Sequence, residues 1–234
     1  MSRGVVYVAT GGLHLREACR SVVSLKVKMP DLHVTLFTDF VGKLPGFDRI
    51  ERIEHPHYSY FDKVLYIPKT PYDRTVFLDT DTYICHDFRE LFDLLDRFDL
   101  AAAHAPSRFA YRVEGVPDSF PEFNTGVIVF RKTPDVWDFF LDWRERYKLD
   151  RERSGREKFG DFPPDQPTFR DAIYHSFLRV STLTPEYNFR FIYPTFASGN
   201  VKILHGRNSN LDAVCRQVNK LKGMRVSVLK SSMH

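Results

Sequence analysis

The sequence predicts an α/β fold: one domain with a mostly parallel central sheet and helices on both of its faces. Three observations carry this. Residues 5–9, Val-Val-Tyr-Val-Ala, are an almost wholly apolar run that breaks at Thr10-Gly11-Gly12, the pattern of a strand buried on both faces and followed by a turn. A stretch of helical period follows, and a second apolar run begins at His33, so the chain opens as strand, turn, helix, strand, the unit from which parallel sheets are built. Residues 75–78, Thr-Val-Phe-Leu, form another buried strand that runs directly into Asp79-Thr80-Asp81.

The elements follow in order. Leu13, Cys19, Val22, Val23 and Val27 recur with helical spacing until Pro30 closes the segment. Residues 33–37 are the second strand. Phe88, Leu91, Phe92, Leu95 and Phe98 trace one face of a helix, and residues 100–104 and 126–130 read as further strands. Val136, Phe139, Phe140, Trp143 and Tyr147 form a stripe expected to be core. Residues 164–177 are expected to be helical and 201–204 a late strand. Residues 144–158, rich in charge, read as a helix end passing into a solvated loop. From Leu211 a last helix places Leu211, Val214, Cys215, Val218 and Leu221 on one face, with Gly223 as its C-cap.

At 234 residues, one large domain over residues 1–210 is expected, with 211–234 as a basic helix and tail. The chain carries 34 basic and 30 acidic residues. Five of the basic ones (Arg216, Lys220, Lys222, Arg225 and Lys230) follow Asp212 with no acid among them, so the preceding residues hold 29 basic against 30 acidic. A near-neutral body excludes a nucleic-acid binder, which needs a basic face on the fold. Cys19, Cys85 and Cys215 lie far apart without a C-x-x-C pair, which argues against a disulfide framework or zinc ribbon and fits a reducing cytoplasm. No apolar run approaches the ~20 residues that span a bilayer, and none resembles a signal peptide. A soluble, cytoplasmic protein is the expectation.

The chemistry centres on Asp79-Thr80-Asp81. In open α/β sheets ligands bind outside the carboxyl ends of strands, and two carboxylates one residue apart there supply hard oxygen ligands for Mg²⁺ or Mn²⁺, which can bridge a diphosphate. The same pair also suits a turn or a helix cap. Two reaction classes use it. A phosphatase of the haloacid dehalogenase type has D-x-D-x-[TV], matched by Asp79, Asp81 and Thr82, and Gly160-Asp161…Asp165 imitates its later metal motif. That motif belongs after a buried strand, however, and here it follows a polar stretch.

The other class is carried by an ordered set of pieces: Lys63 before the strand, Asp79-Thr80-Asp81 after it, Phe123-Asn124-Thr125-Gly126-Val127, Asp165-Gln166 at a helix start, Glu186-Tyr187-Asn188-Phe189, and His205-Gly206. Together they resemble the GT-A (Rossmann-like) glycosyltransferases, specifically glycosyltransferase family 8 and its bacterial lipooligosaccharide galactosyltransferases, over residues 4–208. The resemblance implies a metal-dependent hexosyltransferase moving a sugar from a nucleotide-diphosphate sugar, a UDP-sugar by preference, to a glycan, lipid-linked or other hydroxyl acceptor with retention. It implies Asp79, Asp81 and His205 as ligands for Mn²⁺ (or Mg²⁺), the imidazole favouring Mn²⁺. It implies Thr10, Gly11, Lys63, Asp79, Asn124, Gly126, Gly206 and Arg207 around the donor, and Asp165 and Gln166 as the catalytic pair. Gln166 then lies beside the anomeric carbon, and Asp165 is the base if the reaction inverts. Gly126 is expected to let backbone approach the ligand.

The chain departs from the family twice. The diphosphate-gripping lysine after the closing histidine is missing, with Arg207 its candidate substitute, and Thr10-Gly11-Gly12 stands where an acidic pair commonly follows the first strand. A third reading is a catalytically inactive sugar-nucleotide or glycan-binding module. Residues 107–120 and 144–161 are candidate lids. The basic tail offers a peripheral contact with an anionic membrane, or packs its apolar face on the domain.

Overall fold

The computed structural model describes residues 1–105, 112–154 and 162–227. Parts of both candidate lids, Gly160 and Asp161 of the phosphatase-like motif, and Lys230 lie outside the described residues.

Seven strands form one sheet: β1 (Arg3–Ala9), β2 (His33–Thr38), β3 (Arg49–Arg52), β4 (Arg74–Leu78), β6 (Leu100–His104), β7 (Phe123–Arg131) and β8 (Val180–Leu183), with β5 (Thr82–Ile84) outside it. The spatial order is β3-β2-β1-β4-β7-β6-β8. β1 pairs in parallel with β2 and β4, as do β2 with β3 and β6 with β8, and only β7 runs against its neighbours. The sheet is therefore mostly parallel. The chain leaves β1 for β2 and β3 on one side and returns as β4 on the other, which opens a crevice at the carboxyl ends of β1 and β4, the switch point where ligands bind.

Strand alternation divides the core into two layers. Val5, Tyr7, Ala9, Val76, Leu78, Val127 and Val129 face α1 (Gly12–Lys28). Val6, Phe77, Ile128 and Phe130 face α4 (Pro134–Ser154) and α5 (Gln166–His175). The expected stripe Val136, Phe139, Phe140, Trp143 and Tyr147 is buried throughout, and Trp143 stacks edge-on against Phe169 with ring centroids 4.8 Å apart.

Several expectations need correction. In α1 the buried residues include Glu17, Ala18, Ser21, Val22, Ser24 and Leu25, whereas Leu13, Val23 and Val27 are exposed; small and polar residues face the sheet, so apolar spacing points at the wrong side. Between Phe88 and Phe98 only α3 (Leu91–Leu94) is helical. The chain there makes tight i to i+3 turns, such as Leu91 N–H to Phe88 and Phe92 N–H to Arg89, which still bury Phe88, Leu91, Phe92 and Leu95. α4 runs on to Ser154, and α5 stops before the fully exposed Phe177.

Two short ribbons flank the sheet: β5 pairs antiparallel with β10 (Ile203–His205), and β9 (Thr195–Ala197) with β11 (Arg225–Ser227). α6 (Leu211–Lys220), capped by the Asn210 side chain on Ala213 N–H, lays Val214, Cys215 and Val218 on a small core of Cys85, Phe189, Ala197, Val201 and Leu204. It ends at Leu221, ahead of Gly223, which bends the following turn with φ +82 instead of capping the helix. Contrary to the expectation from spacing, Cys85 and Cys215 are paired as a disulfide tying β5 to α6, with Cα atoms 5.9 Å apart; Cys19 is free. Spacing says nothing of such a pair because 130 residues separate the two and only the tertiary fold joins them.

Candidate functional site

The crevice above β1 and β4 is a cavity of about 670 Å³, within the usual ligand-pocket range. Ten of the twelve expected site residues line it: Thr10, Lys63, Asp79, Asp81, Asn124, Asp165, Gln166, His205, Gly206 and Arg207. Gly11 and Gly126 do not line it but shape its walls.

The acidic motif is presented by backbone pairing. Asp79 N–H donates to the Gly126 carbonyl at 2.8 Å, and Thr82 Oγ1 to the Asp79 carbonyl at 2.8 Å. The β5–β10 ribbon then sets His205 directly opposite Thr82, and Gly206 N–H donates to the Asp81 carbonyl at 3.0 Å. Residues 124 positions apart thereby converge. One ligand atom from each of Asp79, Asp81 and His205 lies within 4.8 Å of the others; His205 Nε2 is 3.3 Å from Asp81 Oδ1 and 3.8 Å from Asp79 Oδ2. Two carboxylates and an imidazole on one side, with cavity on the other, fit a divalent cation that keeps open positions. Burial pushes the Asp79 carboxyl up; Lys63 and His205 pull it down without reversing the shift, and Asp81 and Asp165 add to it. Burial also works against ionised Asp81, but the neighbouring His205 and Arg207 hold it below the usual carboxylate range.

Lys63 comes from α2 (Tyr60–Tyr66), whose N-cap Ser59 accepts from Phe61 N–H. Its ammonium contacts Asp165 Oδ2 at 2.9 Å, Thr125 Oγ1 at 3.1 Å and Asp79 Oδ1 at 3.3 Å. Burial disfavours its charge, yet Asp165 and Asp79 outweigh that and raise its pKa. All three protons are thus committed to the protein, so Lys63 acts as the internal counterion of the two acids. Asp165 occupies the N-cap position of α5 but caps nothing; its Oδ2 accepts from Thr125 Oγ1 at 2.7 Å and faces Lys63.

A register shift in β7 opposite Ala102 and Ala103 turns Asn124 and Thr125 into the site, as bulges do. Asn124 and Gln166 are hydrogen-bonded to each other, and Gln166 Nε2 donates to Glu122 Oε1 at 3.1 Å. Gly126 does not line the cavity. A Cβ there would stand 2.1 Å from His205 Cε1, so the missing side chain makes room for the imidazole ring.

At the other end, Thr10 Oγ1 donates to Asp62 Oδ2 at 2.8 Å, while Gly11, at φ +80, donates its N–H to Asp39 Oδ1 at 3.1 Å. Tyr58, at φ 52, stands over Gly11. Arg207 makes a two-pronged contact with Glu17 of α1, Nε to Oε1 at 2.7 Å and Nη2 to Oε2 at 3.2 Å, with Nη1 3.9 Å from Asp81 Oδ2. Glu17 is buried and also accepts from Thr80 Oγ1 at 3.1 Å; its hydrogen bond raises the Arg207 pKa. Sequence reasoning missed Glu17, Tyr58, Arg190 and Tyr193, of which the last three line the cavity. The Arg190 guanidinium stacks 4.1 Å over the Tyr193 ring. A glutamate among the apolar positions of α1 was the available signal for Glu17; Arg190 gave none.

The fold has counterparts among solved structures. The chain is similar to glycosyltransferase GlyE of Streptococcus pneumoniae TIGR4 (20% identity, TM-score 0.59, 89% of this chain and 56% of that one). It is similar to the galactosyltransferase LgtC in complex with donor and acceptor sugar analogs (16%, 0.53, 88% and 87%), and to the bifunctional glycosyltransferase WbbM (16%, 0.58, 100% and 46%). It thus spans about half the length of GlyE and of WbbM. No protein-family model and no curated protein matches the sequence. At these identities the likeness is one of fold: a mixed α/β domain shared with glycosyltransferases.

Proposed function

We propose that the chain is a metal-dependent glycosyltransferase that moves a hexose from a nucleoside-diphosphate sugar, a UDP-sugar by preference, to a hydroxyl acceptor. The observation that carries the reading is the Asp79–Asp81–His205 cluster at the β1/β4 switch point, opening on one cavity with arginine side chains at its edge, in a fold shared with glycosyltransferases.

Glycosyl transfer requires the leaving diphosphate to be stabilised as its bond to the sugar breaks. A divalent cation, Mn²⁺ rather than Mg²⁺ given the imidazole, supplies that as a Lewis acid. The chain's own residues do the rest. Arg207, steadied by Glu17, offers its remaining N–H groups to the phosphates and takes the place of the family's lysine. Lys63 keeps Asp79 and Asp165 together in a charge-balanced wall. Both bonds to Asp165 fall on Oδ2, which leaves Oδ1 for a donor hydroxyl. Gln166, an amide and no base, beside the anomeric carbon agrees with a retaining outcome. Thr10, Gly11 and Tyr58 border the nucleoside end.

Residues 1–210 form the transferase unit in this reading, with 211–234 as its basic appendage. No described helix is long and apolar enough to cross a membrane. The apolar face of α6 is covered, but Leu221, Met224, Val226 and Phe196 are exposed beside Lys220, Lys222 and Arg225, which suits peripheral contact with an anionic membrane bearing a lipid-linked acceptor. A thermal-shift screen of UDP-, GDP-, CMP- and dTDP-sugars with and without Mn²⁺ tests the donor. One nucleotide sugar should stabilise the protein only with metal, and stabilisation by none of them removes the reading.

A further inference from the structure

Behind the proposed cation site runs a buried file of polar side chains. His205 Nδ1 meets Asn188 Oδ1 at 2.8 Å, Asn188 Nδ2 meets Asn124 Oδ1 at 2.7 Å, Asn124 Nδ2 meets Gln166 Oε1, and Gln166 Nε2 meets Glu122 Oε1 at 3.1 Å. None of the five residues is more than 7% exposed. Buried polar networks of this kind are costly unless each donor meets an acceptor, so their polarity is specified.

One bond fixes the direction of the whole file. Gly126 N–H lies 3.1 Å from Asn124 Oδ1, and a backbone N–H only donates, so the Asn124 atom facing it is the oxygen. The Asn188 atom facing that oxygen must then be the amide nitrogen, which leaves Asn188 Oδ1 toward His205. An amide oxygen only accepts, so Nδ1 of His205 carries a proton. In the other direction, Asn124 Nδ2 donates to Gln166 and Gln166 donates to Glu122, whose carboxylate accepts. The missing Cβ of Gly126 completes the arrangement, because it is what allows the His205 ring against this strand.

We propose that Asn188 is a positioning residue that, oriented through Asn124, holds His205 with its proton on Nδ1 and its Nε2 lone pair aimed at Asp79 and Asp81. The alternative tautomer would put an N–H on Nε2, 3.3 Å from Asp81 Oδ1, in the place of the cation. The side chains thus form the cation site before any metal arrives, with Asn188 acting through His205. The proposal rests on the metal reading of Asp79, Asp81 and His205, and it extends that reading to residues that touch no ligand. Partners of this kind are worth about 10–100-fold in metal affinity elsewhere.

Two measurements test it. In ring ¹⁵N spectra of the wild-type protein, metal-free and Mg²⁺-loaded, His205 should carry a proton on Nδ1 in both; a ring whose only proton is on Nε2 overturns the proposal. Calorimetric Mn²⁺ titrations should show Asn188→Leu binding about 10–100-fold more weakly than wild type. Asn188→Asp, which still accepts from Nδ1–H but loses the donation to Asn124, should bind more tightly than Asn188→Leu. Equal affinity in wild type and Asn188→Leu, or equal loss in both variants, overturns the proposal while leaving the metal reading standing. A wild-type protein that binds no divalent cation overturns the metal reading instead, and the ring spectrum still decides the tautomer. Should Asn188→Leu fail to fold, that spectrum remains decisive.

Discussion

Replacing Gly126 by alanine puts a methyl group 2.1 Å from His205 Cε1 and 2.6 Å from its Nδ1. Ordinary contact begins near 3.4 Å, so ring and strand must part by about 1.3 Å. Neither yields easily: Gly126 sits in the sheet with its carbonyl bonded to Asp79 N–H, and His205 is buried with its Nδ1 tied to Asn188. Overpacking of this kind costs about 1–3 kcal/mol, and at roughly 2–4 °C per kcal/mol for a chain of this size the Tm should fall by about 2–12 °C. Metal–ligand distances in real sites keep within about 0.2 Å of standard values, so a displacement several times larger should weaken Mn²⁺ binding. Calorimetric melting and Mn²⁺ titration of Gly126→Ala check both. Unchanged Tm together with unchanged Mn²⁺ affinity would refute the packing argument, because the ring would then not be seated where the geometry puts it.

Three further outcomes are expected. Lys63→Met strands Asp79 and Asp165 without their shared cation; breaking a buried pair costs about 3–5 kcal/mol, and urea melts should show stability recovering as pH falls and Asp79, whose carboxyl burial already pushes up, takes up a proton. Asp99, held by Arg179 and Arg131, has its pKa well below the usual carboxylate value. It therefore stabilises the fold above pH ~4, and that contribution is lost as pH falls further; Asp99→Asn should flatten the acid limb of a stability–pH curve. Arg207→Ala should weaken nucleoside-diphosphate binding by about tenfold or more, the worth of one charged hydrogen bond at 1.5–3 kcal/mol, with no change in Tm beyond the loss of the Glu17 contact. Isothermal titration reads the binding effect.

The layers of the fold were legible where local pattern and tertiary burial agree. The run at residues 5–9 and the Val136–Tyr147 stripe are apolar because both pack on the sheet, and they became β1 and the buried face of α4. Agreement failed where the core is lined by small or polar groups, as in α1, and where turns bury the same aromatic residues that a helix would, as at Phe88–Leu95. Ribbon strands of three residues, such as β5 and β10, carry too little periodicity to read. For the site, Asp79 and Asp81 were visible as neighbours at a strand end, and His205 only through the resemblance. Their convergence depends on the β5–β10 pairing, which no local spacing encodes. Lys63 and Gly126 were singled out as donor contacts; in the fold Lys63 also neutralises buried acids, and Gly126 also admits a ring.

In the proposed function, Asp79, Asp81 and His205 hold a divalent cation that activates a nucleoside-diphosphate sugar, and this role is open to a direct test. The test measures nucleoside diphosphate released from the sugar nucleotide that binds, in wild type and Asp81→Ala, with Mn²⁺ and with chelator. Wild type should release it with Mn²⁺ alone, and Asp81→Ala should release none although that variant melts as a folded protein. Undiminished release by Asp81→Ala or in chelator contradicts it. So does a wild-type protein that ignores every sugar nucleotide but frees phosphate from simple monoesters through Asp79.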